Sequence, residues 1–261
     1  MSDVIYTPAG RAREYSPLAL NVYLGCSHGC KYCYAPKCRR QKPEEYFKIP
    51  EPRRNLAANL RSQLAKGRIT QQVMLSFIGD CYCETADNGK AAREVLEILL
   101  EHGAPVAILS KGGERILRDL DSFKEFGRHI QVGETLTFDN DSDSRQWEPN
   151  AALPRERIEV MRKLHESGIR TFASFEPVIK PEQSLRLMRA VLPFCDVFKI
   201  GKINGFEDFD KHIDWSGFLA EAVGILRAAK KRFYVKHDLR VAASDVALFG
   251  QEVLADEYCV E

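Results

Sequence analysis

Three cysteines fall within eight residues, Cys26-Ser27-His28-Gly29-Cys30-Lys31-Tyr32-Cys33, at C-x3-C-x2-C spacing. Thiolates are soft donors, and three on one loop can grip one face of a metal cluster. Three ligands leave a tetrahedral or cubane site one position short, and that open position is where chemistry can occur. Structural zinc is a second reading, with Cys38 or His28 as the fourth ligand, although zinc normally takes two separated pairs. A disulfide framework is disfavoured, because no secretory signal is visible and the length suits an intracellular enzyme.

The loop needs an element to hold it. Leu18 to Leu24 reads as a buried strand ended by Gly25, so the cysteines follow a strand end, where an α/β protein places its ligand site. The hydrophobic periodicity predicts further strands over Val73–Ile78, Pro105–Leu109, Ile130–Leu136, Arg170–Phe175 and Asp196–Ile200, with a late one over Phe233–Lys236. Helices are expected over Arg53–Lys66, Ala91–His102, Glu114–Phe126, 154–167, Pro181–Leu192 and Asp214–Ala229, with a short last one near Ala242–Gly250. Residues 1–17 read as an irregular arm and 137–153 as a long polar insert, the kind of loop that is often functional. Strand and helix alternate six times, which means parallel strands with crossover helices; a closed barrel and an open sheet both fit.

In a parallel sheet the residues after each strand converge on one mouth. Those are Cys26 to Cys33, Gly79-Asp80-Cys81-Tyr82-Cys83-Glu84, Ser110-Lys111, Glu134-Thr135, Glu176-Pro177 and Gly201-Lys202-Ile203-Asn204. Alternation puts Cys81 and Cys83 on one side and Tyr82 on the other. A thiol there could donate hydrogen to a carbon radical, with Tyr82 as a relay; a second metal site with Cys38, or ordinary loop residues, are the competing readings. Cys195 reads as core and Cys259 as incidental. His28 and His237 are acid–base candidates, and Trp147 could stack a base or plug its loop. Asp139-Asn140-Asp141-Ser142-Asp143 opens like a calcium loop but lacks the later glycine and glutamate. No P-loop or hydrolase triad is present.

The chain has 261 residues and a net charge of +1, which argues neither for nor against nucleic acid. A single domain over 1–261 is expected, with a core of about 16–205 and a C-terminal extension of about 206–261. No run approaches the roughly 20 apolar residues that span a bilayer, and Met1 to Arg13 has no apolar export region, so the cytoplasm is the default. Basic residues cluster locally at Lys37-Cys38-Arg39-Arg40-Gln41-Lys42, at Arg53-Arg54, and at Arg227, Lys230, Lys231, Arg232 and Lys236. They read either as a phosphate-holding patch or as solvated faces.

The motif Cys-x3-Cys-x-aromatic-Cys after a first strand resembles the radical S-adenosylmethionine (SAM) superfamily. That resemblance implies a partial (β/α)6 TIM-like barrel, a [4Fe-4S] cluster on Cys26, Cys30 and Cys33, and SAM chelated at the open iron and cleaved to a 5′-deoxyadenosyl radical. Tyr32 would lie near the adenine. Asn21 to Pro36, Gly79-Asp80-Cys81-Tyr82, Leu109-Ser110-Lys111, Arg118-Asp119-Leu120 and Glu148-Pro149 look like the spore photoproduct lyase branch, over about residues 16–205. By that likeness Lys111 meets the SAM carboxylate, and Asp80 and Glu134 belong to the cofactor site, with Glu134 standing where the branch has a serine. The branch also has a hydrogen-donor cysteine three residues before the aspartate that ends the second strand; here Phe77 stands in that place.

The resulting expectation is a lyase or isomerase acting on a thymine-derived base in DNA, by rearrangement of a modified thymine or cleavage of a lesion. An external electron donor such as flavodoxin or ferredoxin would feed it. Modification of a peptide or small metabolite is the alternative, and a zinc-bound, non-enzymatic nucleic-acid module the second alternative.

Overall fold

Seven apolar segments pair side by side as parallel strands: β1 (Leu18–Ala19), β2 (Val73–Leu75), β3 (Val106–Ser110), β4 (Ile130–Thr135), β5 (Arg170–Val178), β6 (Val197–Lys202) and β7 (Arg232–Val235). They were traced in a computed structural model that describes residues 3–253. Sheet order equals chain order, so there is no reversal point of the doubly wound kind. β1 and β7 do not pair with each other, so the barrel stays open. The sheet nevertheless curls, because Ala19, Met74, Ala107, Phe172, Val197 and Tyr234, from six of the strands, share one interior cluster with Tyr15. The expected partial barrel is therefore present, and the late strand adds a seventh member to the six alternations.

Alternation along each strand sorts side chains between inside and outside. On β5, Phe172 packs in the interior cluster while Ala173 and Phe175 pack under the helices. Gly133 of β4 has no side chain because Phe172 fills its space: a Cβ there would stand 2.3 Å from the Phe172 carbonyl oxygen.

The outer face is covered by amphipathic helices. α1 (Leu56–Leu64), α2 (Lys90–Glu101), α3 (Leu120–Phe126), α4 (Asp141–Trp147), α5 (Pro154–Glu166), α6 (Pro181–Val191), α7 (Trp215–Ala228) and α8 (His237–Ala242) follow in chain order. Leu56, Leu60 and Leu64 recur every fourth residue and bury one face of α1, against Val95 and Leu99 of α2. Each such side chain contributes about 1.5–3 kcal/mol by leaving water, so Leu99→Ala would cost about 2–5 kcal/mol.

Several expected boundaries change, each for a local reason. The predicted first strand breaks after Ala19, and Tyr23–Leu24 leaves the barrel to pair antiparallel with Glu51–Pro52. Asn21 makes the break: its Oδ1 accepts from the amides of Phe77 (3.0 Å) and Ile78 (2.9 Å). Those bonds also end β2 at Leu75 instead of Ile78. The helix expected from Glu114 starts as tight 3-10 turns over Gly113–Asp119 before α3 begins.

The polar insert holds α4, capped by Asn140 Oδ1 accepting from the Asp143 amide at 2.9 Å. The last helix lies at His237–Ala242, not Ala242–Gly250, because the apolar pair that reaches the core is Leu239 and Ala243. The arm is also not loose: Tyr15 is buried inside the barrel, and its carbonyl accepts from Lys199 Nζ at 3.1 Å. Cys259 lies outside the described residues.

Candidate active site at the carboxyl ends of the strands

The cysteine loop is shaped by its glycines and pinned by backbone bonds. Gly25 and Gly29 both have positive φ (112° and 70°), which an L side chain rarely adopts. The Cys26 amide donates to the Tyr46 carbonyl (3.2 Å), the Lys31 amide to Trp147 (2.9 Å) and the Asn150 amide to His28 (3.1 Å). The insert therefore clamps the loop from one side. Cys26, Cys30 and Cys33 line a cavity of about 490 Å³ together with Tyr32, Asp80, Ser110, Lys111, Thr135, Ser174, Glu176 and Lys236. Strand ends thus converge on one mouth, as a parallel barrel requires.

Asp80 lies on the wall of this cavity, but its carboxylate is fully engaged. His28 Nε2 stands 2.8 Å from Oδ2, which also takes the Lys111 amide (2.8 Å). Oδ1 takes the Tyr82 amide (2.8 Å) and the Ser110 hydroxyl (2.8 Å). Burial alone would raise this carboxyl, but His28 and the backbone donors hold it well below the ordinary carboxylate range. Asp80 therefore braces the cysteine loop, the β2 end and the β3 end against one another, instead of offering an oxygen to a cofactor as expected. His28 is occupied by the same bond, with Nδ1 3.3 Å from the Asn150 carbonyl, so the acid–base reading and the fourth-ligand reading of His28 both fall.

Tyr32 turns inward from the loop. Its hydroxyl donates to Glu148 Oε1, its ring stacks on Trp147 at 6.5 Å, and Lys111 Nζ lies 5.5 Å from the ring centre. Glu148 is buried and pairs with Arg157, which is buried too (Nη2 to Oε2, 2.6 Å). Arg157 also donates to the carbonyls of Thr135 (2.9 Å) and Ala152 (2.7 Å). Lys111 has no hydrogen-bond partner for its ammonium among the described residues, and it faces the thiols across the cavity. Burial lowers its pKa, but attraction to Cys30 as a thiolate and to the carboxylate of Glu148 outweighs that and holds it above its usual value.

Four expected site residues lie elsewhere. Glu134 sits on the helix side of β4, because alternation pairs it with Ile130 and Val132 and turns Thr135 inward. Its Oε1 accepts from the Gly113 amide at 3.1 Å, and Oε2 is buried without a partner among the described residues. Burial, only partly offset by Arg157, pushes its carboxyl well up.

Tyr82 points into the core: its hydroxyl donates to Asp119 Oδ2 (2.9 Å) and its ring packs on Phe123. Cys81 is buried with Sγ 3.2 Å from Ser76 Oγ, and Cys83 packs behind the loop, hydrogen-bonded to the Cys26 thiol. None of the three lines the cavity: Cys81 and Cys83 lie one residue behind its wall, against Ser76 and Cys26, and Tyr82 points away into the core. The loop after β2 is the cause, since it folds back under Asp80 instead of continuing the strand.

Trp147 is a plug. Its ring is partly buried and packs against Tyr32, Phe138, Phe206 and Phe209. The calcium-like carboxylates are taken by cations: Asp143 pairs with Lys180 (2.7 Å) and Asp139 with Arg186 (2.5 Å). The late basic residues do not gather at the mouth. Lys230, Lys231 and Arg232 enter β7 at its opposite end, Arg227 pairs with Glu252, and Lys236 alone reaches the cavity.

The comparisons with known proteins agree with this geometry. The Radical SAM superfamily model matches residues 20–192, well over half of the chain. The chain belongs to the radical SAM superfamily. Its barrel is similar to spore photoproduct lyase complexed with dinucleoside spore photoproduct (TM-score 0.65, 12% identity, 89% of this chain and 79% of that one). It is also similar to Streptococcus suis SuiB bound to precursor peptide SuiA (TM-score 0.63, 13% identity, 89% and 53%).

Among curated proteins, an uncharacterised protein of Methanocaldococcus jannaschii is 30% identical over 161 residues, 61% of this chain and 60% of that protein. An uncharacterised protein of Acidianus two-tailed virus is 25% identical over 177 residues, 63% of this chain and 57% of that protein. The matched region spans about three fifths of the length of these relatives.

A radical SAM enzyme uses a [4Fe-4S] cluster and SAM, and the residues here fit both. Cys26, Cys30 and Cys33 are free thiols on one cavity wall. Among the described residues no three His, Cys, Asp or Glu side chains converge on a point that would suit one metal ion. A cubane spreads its thiolates over separate irons and needs no such convergence, whereas a structural zinc does. The match to the Radical SAM superfamily over residues 20–192 displaces the zinc-module alternative. No helix among the described residues is long and apolar enough to cross a membrane.

Proposed function

We propose that this radical SAM enzyme acts on a thymine-derived base in DNA, by rearrangement or by lesion cleavage, with Cys26, Cys30 and Cys33 as the cluster ligands. The cluster and SAM, when bound, supply a reductively generated carbon radical that abstracts hydrogen. This chain's residues orient the reactants and keep water away. The observation that carries the reading is the one shared cavity in which the three thiols, Tyr32 and the ammonium of Lys111, unpartnered among the described residues, face one another.

Lys111 suits the SAM carboxylate as a charge-assisted donor. Tyr32 is held by Glu148 so that its ring edge stays in place for an adenine. At the end of β4 the group on the wall is the Thr135 hydroxyl, not Glu134.

Support for DNA comes from the likeness to a lyase that binds a dinucleoside lesion and from the exposed Lys31, Lys37, Arg39, Arg40 and Lys42 on and beside the cysteine loop. A base must leave the stack to reach such a cavity. Phe77, at the place of the branch's donor cysteine, lines the cavity, which favours chemistry that needs no thiol at that position. The likeness to SuiB, at a similar TM-score, supports a second reading, in which the substrate is a peptide. The external reductant belongs to the same proposal.

The test is SAM cleavage by anaerobically reconstituted protein under dithionite, following 5′-deoxyadenosine. It is run without DNA, with plain duplex, with ultraviolet-irradiated DNA and with DNA bearing thymine modifications. Stimulation by one DNA class supports the proposal. Cleavage indifferent to all of them moves the substrate to the peptide class. Absence of cleavage by cluster-loaded protein refutes both.

A further inference from the structure

Opposite the cysteine loop, the cavity wall carries a second polar cluster drawn from three parts of the chain. Tyr15 comes from the arm, Ser174 and Glu176 from β5, and Lys236 from the residue after β7. Lys236 Nζ lies 2.6 Å from both oxygens of Glu176. The Tyr15 hydroxyl lies 2.7 Å from Glu176 Oε2 and 2.6 Å from Ser174 Oγ. One phenol proton cannot serve two acceptors, so the chain runs Ser174 to Tyr15 to Glu176, each hydroxyl donating onward.

Gly201 leaves room for the pair: a Cβ there would stand 2.9 Å from the Glu176 carboxyl and 3.0 Å from Lys236 Cδ. The cluster is also rigid from behind. The Tyr15 carbonyl accepts from Lys199 (3.1 Å) and Gln72 (3.3 Å), and Glu14, 3.7 Å from Lys236, accepts from Tyr234 (2.9 Å).

We infer that Tyr15, Ser174, Glu176 and Lys236 form the subsite that orients the substrate, and that it takes the hydrogen-bonding edge of a neutral planar group, an imide or amide with adjacent N–H and C=O. This rests on the proposed action on a thymine-derived base and names what reads that base. The charges of Glu176 and Lys236 cancel at contact distance, so the subsite projects little net field and an anion would have to break the pair. A neutral edge need break nothing. The carboxylate accepts the imide N–H, and the third N–H of Lys236 donates to the neighbouring carbonyl.

On the opposite side, by contrast, Asp80 on the wall and Glu148 behind Tyr32 are saturated by protein donors. A radical formed at the cysteine side would thus meet a substrate held from the far side, which is what short-range hydrogen abstraction requires.

The test is equilibrium binding of a thymidine dinucleotide, and of the same dinucleotide methylated at N3, to the cluster-loaded protein with SAM. The variants Glu176→Gln, Ser174→Ala and Gly201→Ala are compared with wild type, with the thermal midpoint of each as a fold control. Wild type is expected to prefer the unmethylated probe by about tenfold, the value of one hydrogen bond to a charged group. Glu176→Gln and Gly201→Ala are expected to bring that ratio toward one. A purely structural role would lower the midpoint and leave the ratio alone.

If wild type binds both probes equally, or if folded variants keep the wild-type ratio, the subsite is overturned and the DNA reading survives. If wild type binds neither dinucleotide, the DNA reading falls and takes the thymine assignment with it. Should Glu176→Gln fail to fold, Ser174→Ala, a smaller change, decides the same question.

Discussion

Arg157 Nη2 donates to Glu148 Oε2 across 2.6 Å with both side chains buried, and through Glu148 this one arginine fixes the tyrosine that precedes Cys33. Removing one member of such a pair strands a buried charge and, here, two backbone carbonyls. Arg157→Met should lower stability by about 3–5 kcal/mol in a denaturant titration. Pairing it with Glu148→Leu should recover part of that loss, because the stranded carboxylate goes too. If the double variant is as unstable as the sum of the singles, the coupling through Glu148 is wrong.

Acid should loosen the insert before it unfolds the barrel. Lys180, with Asn140 and Gln183, lowers the Asp143 carboxyl to about 2. A depressed folded-state pKa means stability that is present above the unfolded value, about 3.9, and lost as pH falls through the folded one. The pair is partly in water, so the contribution is about 1 kcal/mol. Wild type minus Asp143→Asn should therefore show a stability difference that is flat above pH 5 and shrinks between about pH 4 and 2.

Iron content should separate the cysteines. Cys26→Ala, Cys30→Ala or Cys33→Ala should each bring anaerobically reconstituted protein well below about four irons per chain. Cys81→Ala should leave iron and SAM cleavage in place and lower only the thermal midpoint, since that thiol is buried behind Ser76 and does not itself line the cavity. Loss of substrate turnover in Cys81→Ala, with its iron intact, would restore a radical role for that cysteine.

Lys111→Met should weaken SAM binding by about tenfold or more, as expected for loss of one charge-assisted bond to a carboxylate. Lys111→Arg should recover part of it. Isothermal titration of cluster-loaded protein reads both, and unchanged affinity in Lys111→Met would move the carboxylate contact elsewhere.

Local signals made much of this protein legible. Cys26, Cys30 and Cys33 are close in sequence, and a short loop after a strand has little freedom to scatter them, so a shared wall was implied by spacing alone. The alternation of Leu56, Leu60 and Leu64 with strands such as Val106–Ser110 announces helices over parallel strands, because each periodicity has one way to hide its apolar side. The place of Lys111 on the wall was readable for the same reason, because it stands just past a strand end.

Tertiary structure decided what depends on phase and on partners far along the chain. Whether Glu134 or Thr135 faces the cavity turns on a one-residue phase, which strand alternation makes absolute and which a run of six apolar and polar residues does not reveal. Asp80 looks free in the sequence, yet His28, 52 residues earlier, and Ser110, 30 residues later, fill it. Tyr15 gave no local sign of its place, because the arm acquires its position only when Lys199 and Glu176 close around it. Spacing along the chain determines which residues travel together; which of their atoms remain unpaired at the cavity is decided by groups that only folding brings near.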